Sequence, residues 1–379
     1  MKTETVKGFN DYTGEEALKR RKIMQIIEDT FKIYGFEPAE TPIVEYEEFV
    51  RGENEKDEAV RDIFSLEDRG KRKLALRYEF TFQLKRISKN KKLPYKRYQI
   101  GYVFRDEPIK KGRTRQFIQC DIDIIGSNLK DEAEILCITK KILDTLKIKS
   151  EIYFNNRKLL NEILETEKVP EKDRENVIRA LDKLDKLSEK EVADNLKEYR
   201  AEKLLKLFKN SEEFFEKYSY YKEIKELINL SKLYGINIKF SPSLARGLSY
   251  YNGSVFEIKS KELNVSICGG GSYLINNIQS TGISLGLEPL YLLSDIESDN
   301  IKYLIVSLGK DKEAITLAEK LRSKNNPTTL LLDKSPSKAL EYANSYNIEN
   351  IIFVGEEEVK SKKFKIKNLK TGKETILSL

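Results

Sequence analysis

The 379-residue chain has no histidine, no tryptophan, two methionines and three cysteines. Without histidine there is no Ser/His/Asp triad, no Cys/His pair and no histidine-held metal. Any catalysis must come from arginine, lysine, carboxylates, hydroxyls or backbone amides, with or without magnesium. Cys120, Cys137 and Cys268 are odd in number and far apart. They fit neither a zinc spacing nor a disulfide framework, which points to a reducing interior. No apolar run reaches the ~20 residues that span a bilayer, and no secretory signal opens the chain. A soluble, cytoplasmic protein is expected, with no membrane partner.

Charge is what the chain has in abundance. Lys and Arg number 69 against 62 Asp and Glu, a net +7, and charged residues make up 35% of the chain. That balance suits a polyanionic partner without requiring one. High charge with few oxidisable residues is common in proteins of hot environments and also arises from a biased genome. The hydrophobic share of 39% supports real cores, and the length exceeds one ordinary core, so two or three domains are expected.

Apolar positions at Ile23, Ile27, Phe31 and Tyr34 give residues 15–34 one helical face, ended by Gly35. "FEPAETPIVEYEEFV" then reads as extended and proline-marked. Residues 98–125 read as a long antiparallel hairpin and 155–233 as a charged helical insertion. Strand-like runs return at 249–258 and 263–268, and "SDIESDN", 294–300, reads as a linker. Residues 301–379 alternate strand and helix and close on two short strands, a small α/β domain with a largely parallel sheet. No internal repeat or low-complexity tract appears.

The richest segment is "YQIGYVFRDEPIKKGRTRQFIQCDIDIIG", Tyr98 to Gly126. At period two its second strand shows Ile118, Cys120, Ile122 and Ile124 on one face. The other face shows Arg115, Phe117, Gln119, Asp121 and Asp123. Arg105 ends the first strand, and Glu107, Lys110, Lys111 and Arg113 sit in the loop. Cations at the mouth of a polar floor suit a phosphate-bearing ligand; a solvated hairpin is the equal alternative. In "LARGLSYYNGSVFEI", Arg246 precedes a glycine, and Tyr250 and Tyr251 should point to opposite faces of a strand. In "CGGGSYL", Cys268 to Leu274, three glycines after a strand let a flat ligand approach backbone or form a plain turn. "LALRYEFTFQL", Leu74 to Leu84, puts Glu79 and Thr81 on one face of an extended segment, placed for a ligand ammonium or for solvent.

In combination these segments resemble the class II aminoacyl-tRNA synthetases, and specifically the histidyl-tRNA synthetase family. "VKGFNDYTGEE" is similar to that family's opening. "RYQIGYVFRDEP…GRTRQFIQCDIDIIG" is similar to the second class motif, and "ARGLSYYNGSVFE" and "GGGSYL" to the histidine-specific motifs. "GISLGLEPL" is similar to the third class motif, and the final domain to the family's anticodon-binding domain. The resemblance runs end to end. It implies an α+β fold: an antiparallel-sheet catalytic domain over 1–297, with a helical insertion at about 155–235, and an anticodon-binding domain over 301–379. It implies activation of L-histidine with ATP and Mg2+ to histidyl-adenylate, then transfer to the 3′ end of tRNA(His).

By the same resemblance, Arg105 and Arg246 are catalytic, facing the α-phosphate from two sides. Glu107, Arg113 and Phe117 bind ATP with Arg105, and Glu288 lies near magnesium or ribose. Glu79, Thr81 and Gln119 hold the histidine ammonium. Asp123 and Tyr251 read the imidazole, with Tyr250 and Tyr273 beside them. Residues 15–34 with "AETPIVEYEEFV" stand where motif 1 forms a two-fold interface, so a homodimer is expected.

The chain departs from the family pattern at Ser249, Ser272, the "DEPIKKGR" loop and Pro289. Pro289 replaces the arginine that grips the γ-phosphate, leaving Arg113, Arg115, Lys110 and Lys111, with magnesium, as substitutes. The alternative reading is a histidine-binding paralogue such as a regulatory subunit of ATP phosphoribosyltransferase. Such subunits tend to lack the anticodon-binding domain and the paired arginines.

Overall fold

The alternation along residues 116–125 builds the centre of the larger unit. In the computed structural model, Gln116–Ile125 is one ten-residue strand, antiparallel to Tyr95–Phe104. The structure describes all residues except 53–57, 111, 186, 247–249, 261, 263–265, 299–301 and 379. The expected Gly247, Ser249 and Lys111 features lie outside the described residues.

The two strands belong to an eight-stranded sheet. Its order is Glu37–Pro38, Tyr95–Phe104, Gln116–Ile125, Ile278–Gly286, Ser266–Ile275, Tyr251–Lys259, Glu151–Asn156 and Ile238–Phe240. Neighbours in the middle are antiparallel, and the two outermost pairs are parallel. Ile118, Cys120, Ile122 and Ile124 face the core together with Ile23, Ile27 and Phe31 of the helix Gly14–Ile33. Ile135, Leu136, Ile138 and Ile142 of a second helix, Leu129–Thr145, join them. That helix was not expected from the sequence, although Asn128 and Asp131 cap it reciprocally. The insertion is helical, with Arg157–Thr166, Glu171–Leu181, Glu189–Lys197 and Tyr221–Leu233 adding their apolar faces to the same core.

Three local expectations change. The end of "VEYEEFV" is the helix Glu47–Arg51, which turns Val50 into a small core with Ala75, Tyr78 and Phe82. The strand beginning "LAL" ends at Leu76. Beyond it the chain leaves the ladder, yet Tyr78, Phe80 and Phe82 stay buried, so Glu79 and Thr81 still turn the other way. The three glycines do not follow a strand; they lie inside Ser266–Ile275.

The chain divides into two compact units, Met1–Asp11 with Ile23–Ile296, and Tyr12–Lys22 with Glu297–Leu379. The second contains a five-stranded sheet ordered Thr328–Leu331, Tyr303–Ser307, Asn350–Val354, Lys363–Asn368 and Glu374–Ser378. The first three strands are parallel and the last two antiparallel. Ile305 packs against Ala314 and Leu317 of the helix Asp311–Arg322. Leu304 and Val306 pack against Ala339 and Ala343 of Pro336–Ser345 on the other face. Cover on both faces is why the strand reads as an unbroken apolar run.

On the core side of the larger sheet, Ser272 donates a hydrogen bond to Glu132. Burial pushes the Glu132 carboxyl up to about 7. Burial does the same to Glu79 and Asp121, each raised to about 7. The folded chain therefore keeps protons that the unfolded chain has released. Each group's stabilisation, on the order of 3 kcal/mol, is complete below the ordinary carboxyl value and is lost as pH rises through about 7. The thermal midpoint should fall between about pH 5 and 8, and Glu132→Gln should flatten that slope. An unchanged slope in the variant would show that Glu132 is ionised in the folded state.

Candidate active site

The polar face of Gln116–Ile125 floors a cavity of ≈ 270 Å³. Residues from five places close around it: Glu79 and Thr81 after Leu76, Arg105, Glu107 and Arg113 at the loop of the hairpin, Arg246 with Tyr250 and Tyr251, the glycine-bearing strand, and Gly286 to Pro289.

Asp123 lies at one end, 4% exposed. Its carboxylate accepts the Tyr273 hydroxyl and pairs with Arg97 at 2.7 Å. The rings of Tyr250, Tyr251 and Tyr273 cluster beside it, with centroids 4.7, 5.6 and 6.4 Å apart. Tyr250 and Tyr251 both line the cavity, contrary to the opposed faces expected. The strand begins only at Tyr251, so Tyr250 sits in the preceding turn and escapes the alternation. The Tyr250 hydroxyl donates to Glu79 at 3.3 Å. Thr81 and Gln119 line the same end. The Gln119 amide nitrogen donates to Ser284, and its oxygen accepts from Arg105 at 3.4 Å.

The other end is cationic. Arg105 donates Nε to the Tyr78 carbonyl at 3.0 Å and lies 5.2 Å from the Phe117 ring centroid. Arg246 approaches from the opposite wall, with left-handed backbone (φ 57°) and Nη1 donating to the Phe256 carbonyl at 3.2 Å. A Cβ at Gly269 would overlap the Arg246 guanidinium, and one at Gly270 would overlap the backbone of the Ile278–Gly286 strand. These glycines make room for the protein's own groups and line the cavity, and their place inside a strand rules out the plain turn. Arg113 lies 3.6 Å from Glu107, and both line the cavity.

Glu288 and Pro289 complete the wall, in the first turn of the helix Leu287–Leu293. The ring has no N–H to lose there. Glu288 accepts the Ile118 amide at 3.2 Å. Of the substitutes for the missing arginine, Arg115 turns away to Asp106 at 2.9 Å and is not a lining residue. Lys110 is not one either, its backbone being paired with Arg113 in a tight turn. Among the described residues, the arginines of the wall are Arg105, Arg113 and Arg246.

Known proteins resemble this chain along its whole length. The family model of histidyl-tRNA synthetase matches residues 8–290, and that of an anticodon binding domain matches 302–379. The chain belongs to the histidyl-tRNA synthetase family. A Bacillus cereus protein named histidine–tRNA ligase 1 is 36% identical over 413 aligned positions, covering 99% of this chain and 97% of its own. The Helicobacter pylori (strain HPAG1) histidine–tRNA ligase is 32% identical, covering 97% and 94%. A histidyl-tRNA synthetase structure from Nostoc shares the fold with a TM-score of 0.86 at 23% identity, covering 100% and 97%. A Bacillus halodurans structure described as an ATP phosphoribosyltransferase regulatory subunit/histidyl-tRNA synthetase reaches 0.79 at 21%, covering 93% and 98%.

Within this synthetase-family site, sequence reasoning gave Asp121 and Ser284 no role and left out Arg97. Asp121 stood on the polar face with the assigned residues, and that position was its signal. Ser284 faces Asp121 across the ladder. Arg97 looks in sequence like one more exposed cation of a basic chain; only the register that sets it opposite Asp123 reveals it.

Proposed function

We propose that this chain is an ATP-dependent histidine–tRNA ligase that uses the Asp123-to-Pro289 cavity for both half-reactions. The observation that carries the reading is convergence: all thirteen assigned residues, dispersed from Glu79 to Glu288, line one cavity. In the first step a histidine carboxylate oxygen bonds to the α-phosphorus, the bond to the β-phosphate oxygen breaks, and pyrophosphate leaves. Charge builds on the non-bridging oxygens, and Arg105 and Arg246 are fixed guanidiniums on opposite walls. They stabilise that charge without a proton shuttle, which is how a histidine-free chain does this chemistry.

Phe117 and Glu107 take the adenine. Glu79, Thr81 and Gln119 take the ammonium, and Asp123 and Tyr251 the imidazole, with Tyr250 and Tyr273 beside them. In the second step the terminal ribose hydroxyl of tRNA(His) attacks the adenylate carbonyl and AMP leaves. Magnesium, bound with ATP, supplies countercharge to the phosphates. The buried Glu288 carboxylate fits it, since this ion takes one or two carboxylates alongside substrate phosphates.

The regulatory-subunit reading is weakened by two features: the second unit matches an anticodon binding domain, and both arginines are present. Charging tRNA with labelled histidine and ATP tests the function. Histidine bound but never transferred would favour that other reading.

Arg113 is the substitute for the arginine missing at Pro289. Arg113→Ala should raise the KM for ATP about tenfold and leave that for histidine unchanged. Equal effects on both would place Arg113 outside the phosphate site.

The reading includes a cytoplasmic homodimer. Ile43, Val44 and Tyr46 expose an apolar strand edge where the family's two-fold interface is expected. Sedimentation equilibrium should give twice the 44.1 kDa chain mass; a monomer would contradict it. No helix among the described residues is long and apolar enough to cross a membrane.

A further inference from the structure

Among the described residues, the largest fully buried side chain is a cation, Arg97, 0% exposed. It stands on the strand Tyr95–Phe104, directly opposite Asp123 in the ladder. Its Nη2 lies 2.7 Å from Asp123 Oδ2 and donates to the Phe80 carbonyl at 3.5 Å. Arg97 is not a lining residue of the cavity; it stands beside Asp123 on the same face of the sheet. A buried ion pair of this kind adds little net stability compared with apolar residues of the same volume. Stability alone does not account for a guanidinium there, but the carboxylate it touches does.

Asp123 is fixed from three sides. Arg97 holds Oδ2, the Tyr273 hydroxyl donates to Oδ1, and a Cβ at Gly282 would overlap Oδ1. A carboxylate with both oxygens engaged still has acceptor capacity, but only in fixed directions. The surroundings oppose its charge: burial pushes Asp123 up. Asp121 on the same strand and Glu79 on the loop after Leu76 are raised by their own burial and also by the charge of Asp123. Arg97 is the cation that acts against the burial of Asp123, together with the hydrogen bond from Tyr273.

We propose that Arg97 is a positioning residue for histidine recognition, holding the Asp123 carboxylate in place behind the imidazole and balancing its charge. This rests on the assignment of Asp123 to the imidazole. An Arg97–Asp123 pair is neutral overall. It offers a ring N–H an acceptor without the net negative charge that would favour the protonated ring, so the site selects neutral imidazole.

The test uses the full-length protein in histidine-dependent ATP–pyrophosphate exchange, with KM and kcat measured from about pH 6.5 to 9. In Arg97→Gln the histidine KM should rise at least about tenfold at neutral pH, while kcat and the ATP KM stay within about twofold. The ratio of variant to wild-type KM cancels the substrate's own titration. That ratio should fall as pH rises, because Asp123 without its counter-charge ionises later. Arg97→Lys should recover most of the loss.

A ratio near one, or a loss spread equally over kcat and the ATP KM, would overturn the proposal. A raised ratio that does not change with pH would also overturn it, since a purely structural role predicts that. If Arg97→Gln does not fold, Arg97→Gln with Asp123→Asn removes both charges and carries the test. It should show the histidine KM of Asp123→Asn alone at every pH, because Arg97 acts through Asp123; a further loss beyond that single variant, or a wild-type KM, would overturn the proposal. No exchange in the wild type would overturn the ligase reading and this inference together. Wild-type exchange with Arg97→Gln unmoved would overturn this inference alone.

Discussion

Arg246→Ala is expected to lower the rate of histidine-dependent pyrophosphate exchange by about 10²–10³-fold, the cost of removing one preorganised donor from a developing charge. Histidine affinity should stay within about threefold if Arg246, anchored to the Phe256 carbonyl and seated over Gly269, serves the phosphates as proposed. A strong loss of histidine binding would show that the role is misassigned. Gly269→Ala gives a matched control. It removes no charge, yet its Cβ would occupy the space of the guanidinium. It should reproduce most of the loss in kcat by displacement alone, as expected if catalysis depends on where the cation is held.

Asp123→Asn should weaken histidine binding by about 10–100-fold, because a charge-assisted acceptor for the ring N–H becomes a neutral amide. Both Asp123→Asn and Asp123→Ala also leave the fully buried Arg97 without its ion-pair partner. Breaking one side of such a pair costs about 3–5 kcal/mol of stability. Asn keeps a neutral acceptor for the guanidinium and Ala keeps none, so Asp123→Ala should be the less stable of the two. Calorimetric titration with histidine and thermal melts of both variants measure the two effects. Unchanged histidine affinity in Asp123→Asn would refute the imidazole assignment.

How much of the site could be read in advance depended on how local its causes are. The alternation from Phe117 to Asp123 named the cavity floor correctly, because strand period alone decides which side chains share a face. Arg115 failed the same rule: it precedes the strand and turns to Asp106 instead. Glu79 and Thr81 reach the cavity without a ladder, held there by the burial of Tyr78, Phe80 and Phe82 between and beside them.

What stayed hidden was long-range. The space that Gly269 leaves for Arg246 depends on two segments meeting across the sheet. The Arg97–Asp123 pair depends on a register that no single strand encodes. The helix Leu129–Thr145 was missed although its capping box was written in Asn128 and Asp131. Pro289, the departure that stood out most in sequence, is structurally mild: it sits in a first helical turn, and Arg113 still lines the cavity.

The most direct measurement is ATP–pyrophosphate exchange by the purified full-length chain, with and without L-histidine. Exchange that appears only with histidine is the expected result. No exchange, with histidine binding intact in a parallel titration, would contradict the ligase assignment.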